Sequence, residues 1–203
     1  MKVGVLALQG NFGTHVGVLR GLGLEAFAIT RADELSSLRA LVLPGGESST
    51  LLKLMDRGFR LSLLEAVDSG LALFGVCAGA IVLGSKVSNP AQDSLGLIDV
   101  DLQRNAYGRQ LDSFVDGKIL WQCEREDLGI TPSSSCEGVF IRAPLISRVG
   151  SSVEVLLRRS TGEAVMVRGG SAQGKKVMIA TFHPELAPVP SRKIYDYFLS
   201  IVS

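Results

Sequence analysis

The chain has 203 residues, 46% of them hydrophobic and 20% charged, which is typical of a globular protein with a sizeable core. Its 21 basic and 20 acidic residues give a net charge of +1 and are spread along the chain, which argues against a nucleic-acid-binding protein. We find neither a signal peptide nor an apolar run of the roughly 18 residues that cross a bilayer. We therefore expect one cytoplasmic domain, residues 1–203, with no membrane or nucleic-acid partner.

Apolar strand-like runs alternate with helical patterns through the first half of the chain, which predicts an α/β fold with a mainly parallel sheet. Beyond residue 88 the pattern loosens into shorter strand-like pieces. The predicted strands are 3–8, 25–29, 40–43, 71–75, 97–102, 138–141, 153–157, 164–167 and 176–182, and the predicted helices are 14–22, 48–55, 60–67 and 192–202.

The run Phe-Gly-Val-Cys-Ala-Gly at 74–79 separates a predicted strand from an apolar helix-like stretch. Small residues on both sides of Cys77 permit the sharp strand-to-helix turn of a nucleophile elbow. Unpaired amides and the dipole at a helix start favour the thiolate form of a cysteine. We interpret Cys77 as a nucleophile, and the alternative is a small buried apolar residue.

A second reactive segment, His183-Pro184-Glu185, follows the predicted strand 176–182. Proline favours extended geometry before it, and in an extended segment residues two apart project to the same side. Glu185 could then orient the His183 ring, leaving its other nitrogen to take a thiol proton. The alternative is a capped turn after an edge strand. The only other histidine, His15, follows a different strand, and we assign it no catalytic role.

Several of these segments follow predicted strands, and the carboxyl ends of parallel strands share one edge of a sheet. Gln9-Gly10, the run 44–48, Cys77 and His183 would therefore converge there. The glycine pair 45–46 and the amide of Ala78 could bind a developing oxyanion. The alternative for Pro-Gly-Gly is a plain turn in which Ser48 or Ser49 caps the next helix.

With these motifs the chain resembles the triad glutamine amidotransferases, and within them the vitamin B6 branch. The elbow and His-x-Glu are shared across that family, whereas the remaining segments point to the branch. The matching segments are 4–10, 43–50, 74–79, 104–110, 140–144 and 182–186.

The resemblance implies a flavodoxin-like class I amidotransferase fold and a catalytic triad of Cys77, His183 and Glu185. From the residues themselves, we expect the amides of Gly46 and Ala78 to form the oxyanion hole. The resemblance also implies a glutamine pocket lined by Gly46, Glu47, Ser48, Arg104, Ile141 and Arg142.

Free glutamine has an α-carboxylate that a guanidinium can pair with, so either Arg104 or Arg142 could bind it. Taken without the resemblance, each arginine would be a solvated surface charge. Glu47 could equally be an acid that interacts with a helix dipole, and the two roles can coexist.

The implied reaction is hydrolysis of L-glutamine through a γ-glutamyl thioester, with ammonia delivered to a pyridoxal 5'-phosphate synthase subunit. The chain itself would need no cofactor or metal. One alternative is a glutaminase subunit of another pathway, such as imidazole glycerol phosphate synthesis. Another is a regulatory module without activity.

Two features depart from the family pattern. Val76 stands where similar proteins often have threonine. The stretch 118–136 is longer than usual, and we interpret it as a surface loop. Its Cys123 and Cys136 lack the close Cys or His partners of a zinc site, and a disulfide between them is disfavoured in a reducing compartment.

Overall fold

A computed structural model of the protein describes residues 1–108, 113–132, 134–169, 176–187 and 192–202. The strands are β1 Lys2–Leu6, β2 Glu25–Ile29, β3 Ala40–Leu43, β4 Ala72–Val76, β5 Lys86–Ser88, β6 Val100–Gln103, β7 Phe114–Trp121, β8 Ser135–Phe140, β9 Leu145–Val149, β10 Glu154–Arg159, β11 Ala164–Gly169 and β12 Val177–Ala180. The α-helices are α1 Phe12–Gly21, α2 Ser48–Leu54, α3 Arg57–Asp68, α4 Ala78–Leu83 and α5 Arg192–Val202, and short 3₁₀ helices span Ala32–Ser37, Glu126–Leu128 and Pro184–Leu186.

Among the described residues, nine strands form one mixed sheet in the order β2-β1-β3-β4-β12-β11-β10-β7-β8. The first five pair in parallel, and this spatial order is the flavodoxin-like one. From β12 outward the pairing is antiparallel. A smaller sheet has the order β5-β6-β9. The predicted α/β fold with a parallel sheet is thus confirmed, and the looser second half of the sequence forms its antiparallel extension.

Helices cover both faces of the parallel half, which explains why its central strands are apolar throughout. Every residue of β3, β4 and β12 is buried. On one face α1 and α5 pack against the sheet, and on the other α2, α3 and α4 do so. Within the described ranges, no helix is long and apolar enough to cross a membrane.

The interpretation of 118–136 as a surface loop is wrong at both ends. Residues 118–121 belong to β7, and 135–136 belong to β8, its antiparallel neighbour in the main sheet. The Trp121 side chain is 1% exposed and lies in the core. Gly117 and the charged Asp116 and Lys118 interrupt the apolar alternation, so the strand was not recognised. Cys123 and Cys136, both within the described part, are free thiols.

Two glycines allow α4 to start directly beneath the sheet edge. A Cβ at Gly79 would collide with the carbonyl oxygen of Leu43, at the end of β3. A Cβ at Gly75 would lie 2.8 Å from the carbonyl oxygen of Gly79. The chain therefore makes its turn at Cys77 in a space that excludes larger residues on both sides.

We expect Gly79→Ala to destabilise the fold by about 1–3 kcal/mol, because the backbone of β3 cannot yield to the added methyl. Gly17→Ala is the matched control, since Gly17 lies in α1 with open space around its Cα. It should stabilise the protein by up to about 1 kcal/mol through helix propensity. Urea unfolding measures both, and a Gly79→Ala protein as stable as the wild type would contradict the packing described.

Candidate active site

Cys77 lies in a strained turn between β4 and α4. Its φ of 50° and ψ of −100° are unusual for a residue with a side chain. The Cys77 N–H donates to the carbonyl of Ala180 (2.8 Å), and the Cys77 carbonyl accepts from the N–H of Ile81 (3.2 Å). The residue is only 6% exposed, and its Sγ lies 4.0 Å from the carbonyl oxygen of Ile141. Strain of this kind, held by neighbouring hydrogen bonds, is common at reactive centres.

His183 follows β12 and faces the elbow. Its N–H donates to the carbonyl of Val139 in β8 (2.8 Å), which anchors the backbone. Its Nδ1 lies 2.8 Å from Oε1 of Glu185, and its ring lines the same pocket as Cys77. The expected extended geometry ends at His183, because 184–186 form a 3₁₀ turn. Glu185 reaches the ring through that turn.

The two side chains adjust each other's protonation. Burial by itself lowers the pKa of His183, but the electrostatic influence of Cys77 and Glu185 outweighs burial and raises the pKa to about 10. Burial likewise favours the neutral form of Glu185, but its contacts with His15 and His183 outweigh this effect and lower its pKa. An imidazolium and a carboxylate are therefore the stable forms of this pair at neutral pH.

A pocket of about 300 Å³ opens above Cys77 and His183 at the carboxyl edge of the parallel strands. Gly46, Glu47, Ser48, Arg104, Ile141 and Arg142 all line it. Gly45, already expected beside a developing oxyanion, also lines it, and so do four residues that the sequence did not assign to the pocket: Asn11, Ile81, Asn105 and Leu186. Residues 109–110 of the segment that begins at Arg104 lie outside the described residues.

Glu47 caps α2 and also pairs with an arginine. Its Oε2 accepts hydrogen bonds from the N–H of Thr50 (2.7 Å) and the hydroxyl of Ser49 (2.6 Å). Its Oε1 accepts from Nη2 of Arg104 (2.9 Å). Although burial opposes it, the hydrogen bonding lowers the pKa of Glu47 to about 2. The alternative in which Ser48 or Ser49 caps the helix is therefore wrong, and Ser48 instead donates to Gln92 (2.8 Å).

The two pocket arginines differ in what they bind. Arg104 is occupied by Glu47, and its side chain is 14% exposed. Arg142 lines the same pocket from a backbone with φ of 44°, and no carboxylate pairs with it among the described residues. The sequence left open whether Arg104 or Arg142 could bind a ligand carboxylate. Of the two, Arg142 is the one whose guanidinium is not already paired with a carboxylate of the described residues.

The glycine loop is held by the segment after β1. The side-chain amide of Gln9 donates to the carbonyl of Glu47 (3.1 Å) and accepts from its N–H (3.2 Å). The carbonyl of Gly45 accepts from the N–H of Asn11 (3.1 Å). A Cβ at Gly46 would lie 2.9 Å from the backbone Cα of Gly10, so a larger residue would push the two loops apart. The motif Gln9-Gly10 had been noted, but its role as a clamp on this loop depends on contacts that the sequence pattern does not reveal.

Ala78 lies next to the nucleophile as the first residue of α4, and it is 1% exposed. The first N–H groups of a helix have no partner within the helix. The Ala78 amide therefore makes no bond within α4. It lies next to Cys77, where it could donate to an oxyanion that forms when Cys77 attacks a carbonyl carbon.

His15 lies beside the pair formed by His183 and Glu185, which sequence reasoning did not anticipate. Its Nε2 is 3.4 Å from Oε1 of Glu185, and the residue is fully buried. From the sequence we assign His15 no catalytic role, because it follows a different strand from Cys77 and His183. It lies near Glu185 nevertheless, because α1 packs against the 3₁₀ turn at 184–186. A polar residue on the apolar, inward face of α1 was the available signal.

Known proteins resemble this chain along nearly its whole length. A model of the SNO glutamine amidotransferase family matches residues 5–203. A protein from Koribacter versatilis, named pyridoxal 5'-phosphate synthase subunit PdxT, is 44% identical over 100% of this chain and 96% of its own length. The protein of the same name from Thermus thermophilus is 43% identical over 98% of this chain and 96% of its own length.

A solved structure described as a glutamine amidotransferase superposes with a TM-score of 0.83 at 42% identity and covers 98% of both chains. The family model covers nearly all of the sequence, and the relatives match across nearly their full lengths. The chain belongs to the SNO glutamine amidotransferase family.

Proposed function

We propose that residues 1–203 form one cytoplasmic glutaminase domain, which hydrolyses L-glutamine and passes ammonia to a pyridoxal 5'-phosphate synthase subunit. The observation that carries this proposal is the convergence of Cys77 with the hydrogen-bonded pair His183 and Glu185 at one pocket, whose Arg142 pairs with no carboxylate of the described residues. The family and the names of the relatives support the reaction and the partner. Three free cysteines fit a reducing compartment.

The reaction begins when the Cys77 thiolate attacks the side-chain carboxamide carbon of glutamine. The amides of Gly46 and Ala78 stabilise the tetrahedral oxyanion. The imidazolium of His183 then donates its proton to the departing nitrogen, so that ammonia leaves and a γ-glutamyl thioester remains on Cys77. Water attacks this thioester as His183 takes up one of its protons, and glutamate and the thiol are released.

The pocket has a group suited to each end of the amino acid. Arg142 would bind the α-carboxylate in a bidentate pair. Glu47, which stays ionised at neutral pH, would bind the α-ammonium while Arg104 holds it in place. Ile141 and Ser48 also line the pocket. A volume of about 300 Å³ accommodates a single amino acid.

Replacement of Cys77 by alanine should abolish glutamine hydrolysis in the complex with the synthase subunit, while the fold stays intact. The nucleophile is lost, and no neighbouring thiol lies in the pocket among the residues described. Glutamate release, measured with and without the synthase subunit, tests this. Cys123→Ser is the matched control and should hydrolyse glutamine at the wild-type rate. Turnover by Cys77→Ala would contradict the assignment.

Arg142→Met should raise the KM for glutamine by about 10-fold to 100-fold, which corresponds to the loss of a charge-assisted pair. The exposed Arg148, which pairs with Asp99 and Asp101 in the smaller sheet, provides the control Arg148→Met. Steady-state kinetics of the complex measure both variants. An unchanged KM in Arg142→Met would show that the carboxylate binds elsewhere.

A further inference from the structure

The inward face of α1 carries one polar side chain in an otherwise apolar setting. His15 is fully buried there beside Val16 and Leu19. A leucine at this position would fill the core without removing two ring nitrogens from water, which costs free energy unless both nitrogens find partners. The nitrogens of His15 therefore need an explanation from their surroundings.

Tyr195 of α5 and Glu185 lie at opposite ends of the His15 ring. The Tyr195 hydroxyl is 3.0 Å from Nδ1, and Oε1 of Glu185 is 3.4 Å from Nε2. Tyr195 is itself fully buried, and Phe74 of β4 packs edge-on against its ring at 6.1 Å. The orientation of His15 is thus fixed from α5 and from the sheet.

The chemistry of the three groups decides where the ring proton lies. If the Tyr195 hydroxyl donates to Nδ1, the proton of His15 is on Nε2 and points toward the carboxylate. In the opposite arrangement, a lone pair on Nε2 would face a lone pair of Glu185 at 3.4 Å. The first arrangement makes His15 a donor to Glu185. At 3.4 Å this hydrogen bond is not formed in the structure, and Nε2 has no other partner among the described residues. Such contacts in active sites are often long without substrate and shorten when it binds.

Glu185 depends on this donor because it has few others. The residue is 3% exposed, and its Oε1 faces both His183 (2.8 Å) and His15. Its Oε2 has no hydrogen-bond partner among the described residues. The charge on His183 changes during each half of the reaction, whereas His15 exchanges no proton with substrate. His15 therefore supplies a constant hold on the carboxylate.

On the basis of the proposed function, we propose that His15 is a positioning residue. Fixed by Tyr195, it donates to Glu185 and keeps that carboxylate aligned with His183 throughout the reaction. The series Tyr195, His15, Glu185, His183 and Cys77 then links α5, α1 and the edge of the sheet to the nucleophile.

The test compares His15→Leu, which removes the donor, with His15→Gln, whose amide N–H can take the place of Nε2–H. In the complex with the synthase subunit, His15→Leu should lower kcat by about 10-fold to 100-fold with KM within about twofold, as expected for a misaligned base. His15→Gln should retain most of kcat. Wild-type kcat in His15→Leu, or equal losses in both variants, would overturn the proposal and leave only a packing role.

Tyr195→Phe provides a second arm with a matched control. It removes the hydroxyl that fixes the His15 tautomer and should lower kcat several-fold, up to about 10-fold. Tyr197→Phe changes the next buried tyrosine of α5, which does not face His15, and should leave kcat unchanged. Equal kcat values in the two variants would contradict the tautomer assignment. This arm decides the matter if His15→Leu fails to fold.

A readout without glutamine separates this proposal from the proposed function. The rate at which iodoacetamide alkylates Cys77, followed on the Cys77 peptide by mass spectrometry, reports the alignment of His183 with the thiol. It should fall in His15→Leu and be restored in His15→Gln. If the wild-type complex hydrolyses no glutamine, the proposed function fails, and the alkylation ratio of the two variants still supports or refutes the role of His15.

Discussion

The parallel pairing of β4 with β12 is the constraint on which the site depends. Val76 is paired with Ala180, and the next N–H, that of Cys77, continues the ladder by donating to the Ala180 carbonyl. The two strands therefore end at the same level, and both Cys77 and His183 leave from the same edge. A shift of the register by one residue would turn every side chain of a strand to the other face. The fixed register thus accounts for the meeting of a thiol and an imidazole that lie far apart in the chain.

This edge concentrates buried charge, which the fold must stabilise. An ion pair removed from water is favourable only when its remaining donors and acceptors are also satisfied. Oε1 of Glu185 lies close to two histidines, whereas its Oε2 has no hydrogen-bond partner among the described residues, so this demand is met only in part. His183 is held by Glu185 and, through its backbone N–H, by the carbonyl of Val139. The strained backbone of Cys77 adds a further cost. The apolar strands β3, β4 and β12, covered on both faces, provide the rigid support that holds this arrangement.

The parallel half of the fold could be predicted from the sequence because its strands are short apolar runs that alternate with amphipathic helices. The elbow was predicted for a similar reason, since Gly75 and Gly79 leave a local signature of a sharp turn. β7 was not predicted, because Gly117 and its charged neighbours obscure the alternation and its stability comes from pairing with β8 and β10. Local pattern is weak where cross-strand contacts decide the structure.

The site, like the fold, could be predicted only in part. Motifs identified the residues that line the pocket, but not how they bind one another. Gln9 grips Glu47 from 38 residues away, and Tyr195 reaches His15 from 180 residues away. No periodicity encodes contacts of that separation. The ion pair between Arg104 and Glu47, which are 57 residues apart, is likewise not encoded in the local pattern.

Direct detection of the covalent intermediate tests the central claim that the edge of the sheet makes Cys77 a nucleophile. The complex with the synthase subunit would be mixed with glutamine, quenched in acid during turnover and digested, and its peptides weighed by mass spectrometry. We expect a γ-glutamyl group on the peptide that contains Cys77 and on no other. Glutamine turnover with the adduct on a different residue, or with no adduct under conditions that stabilise thioesters, would contradict the claim that Cys77 is the nucleophile.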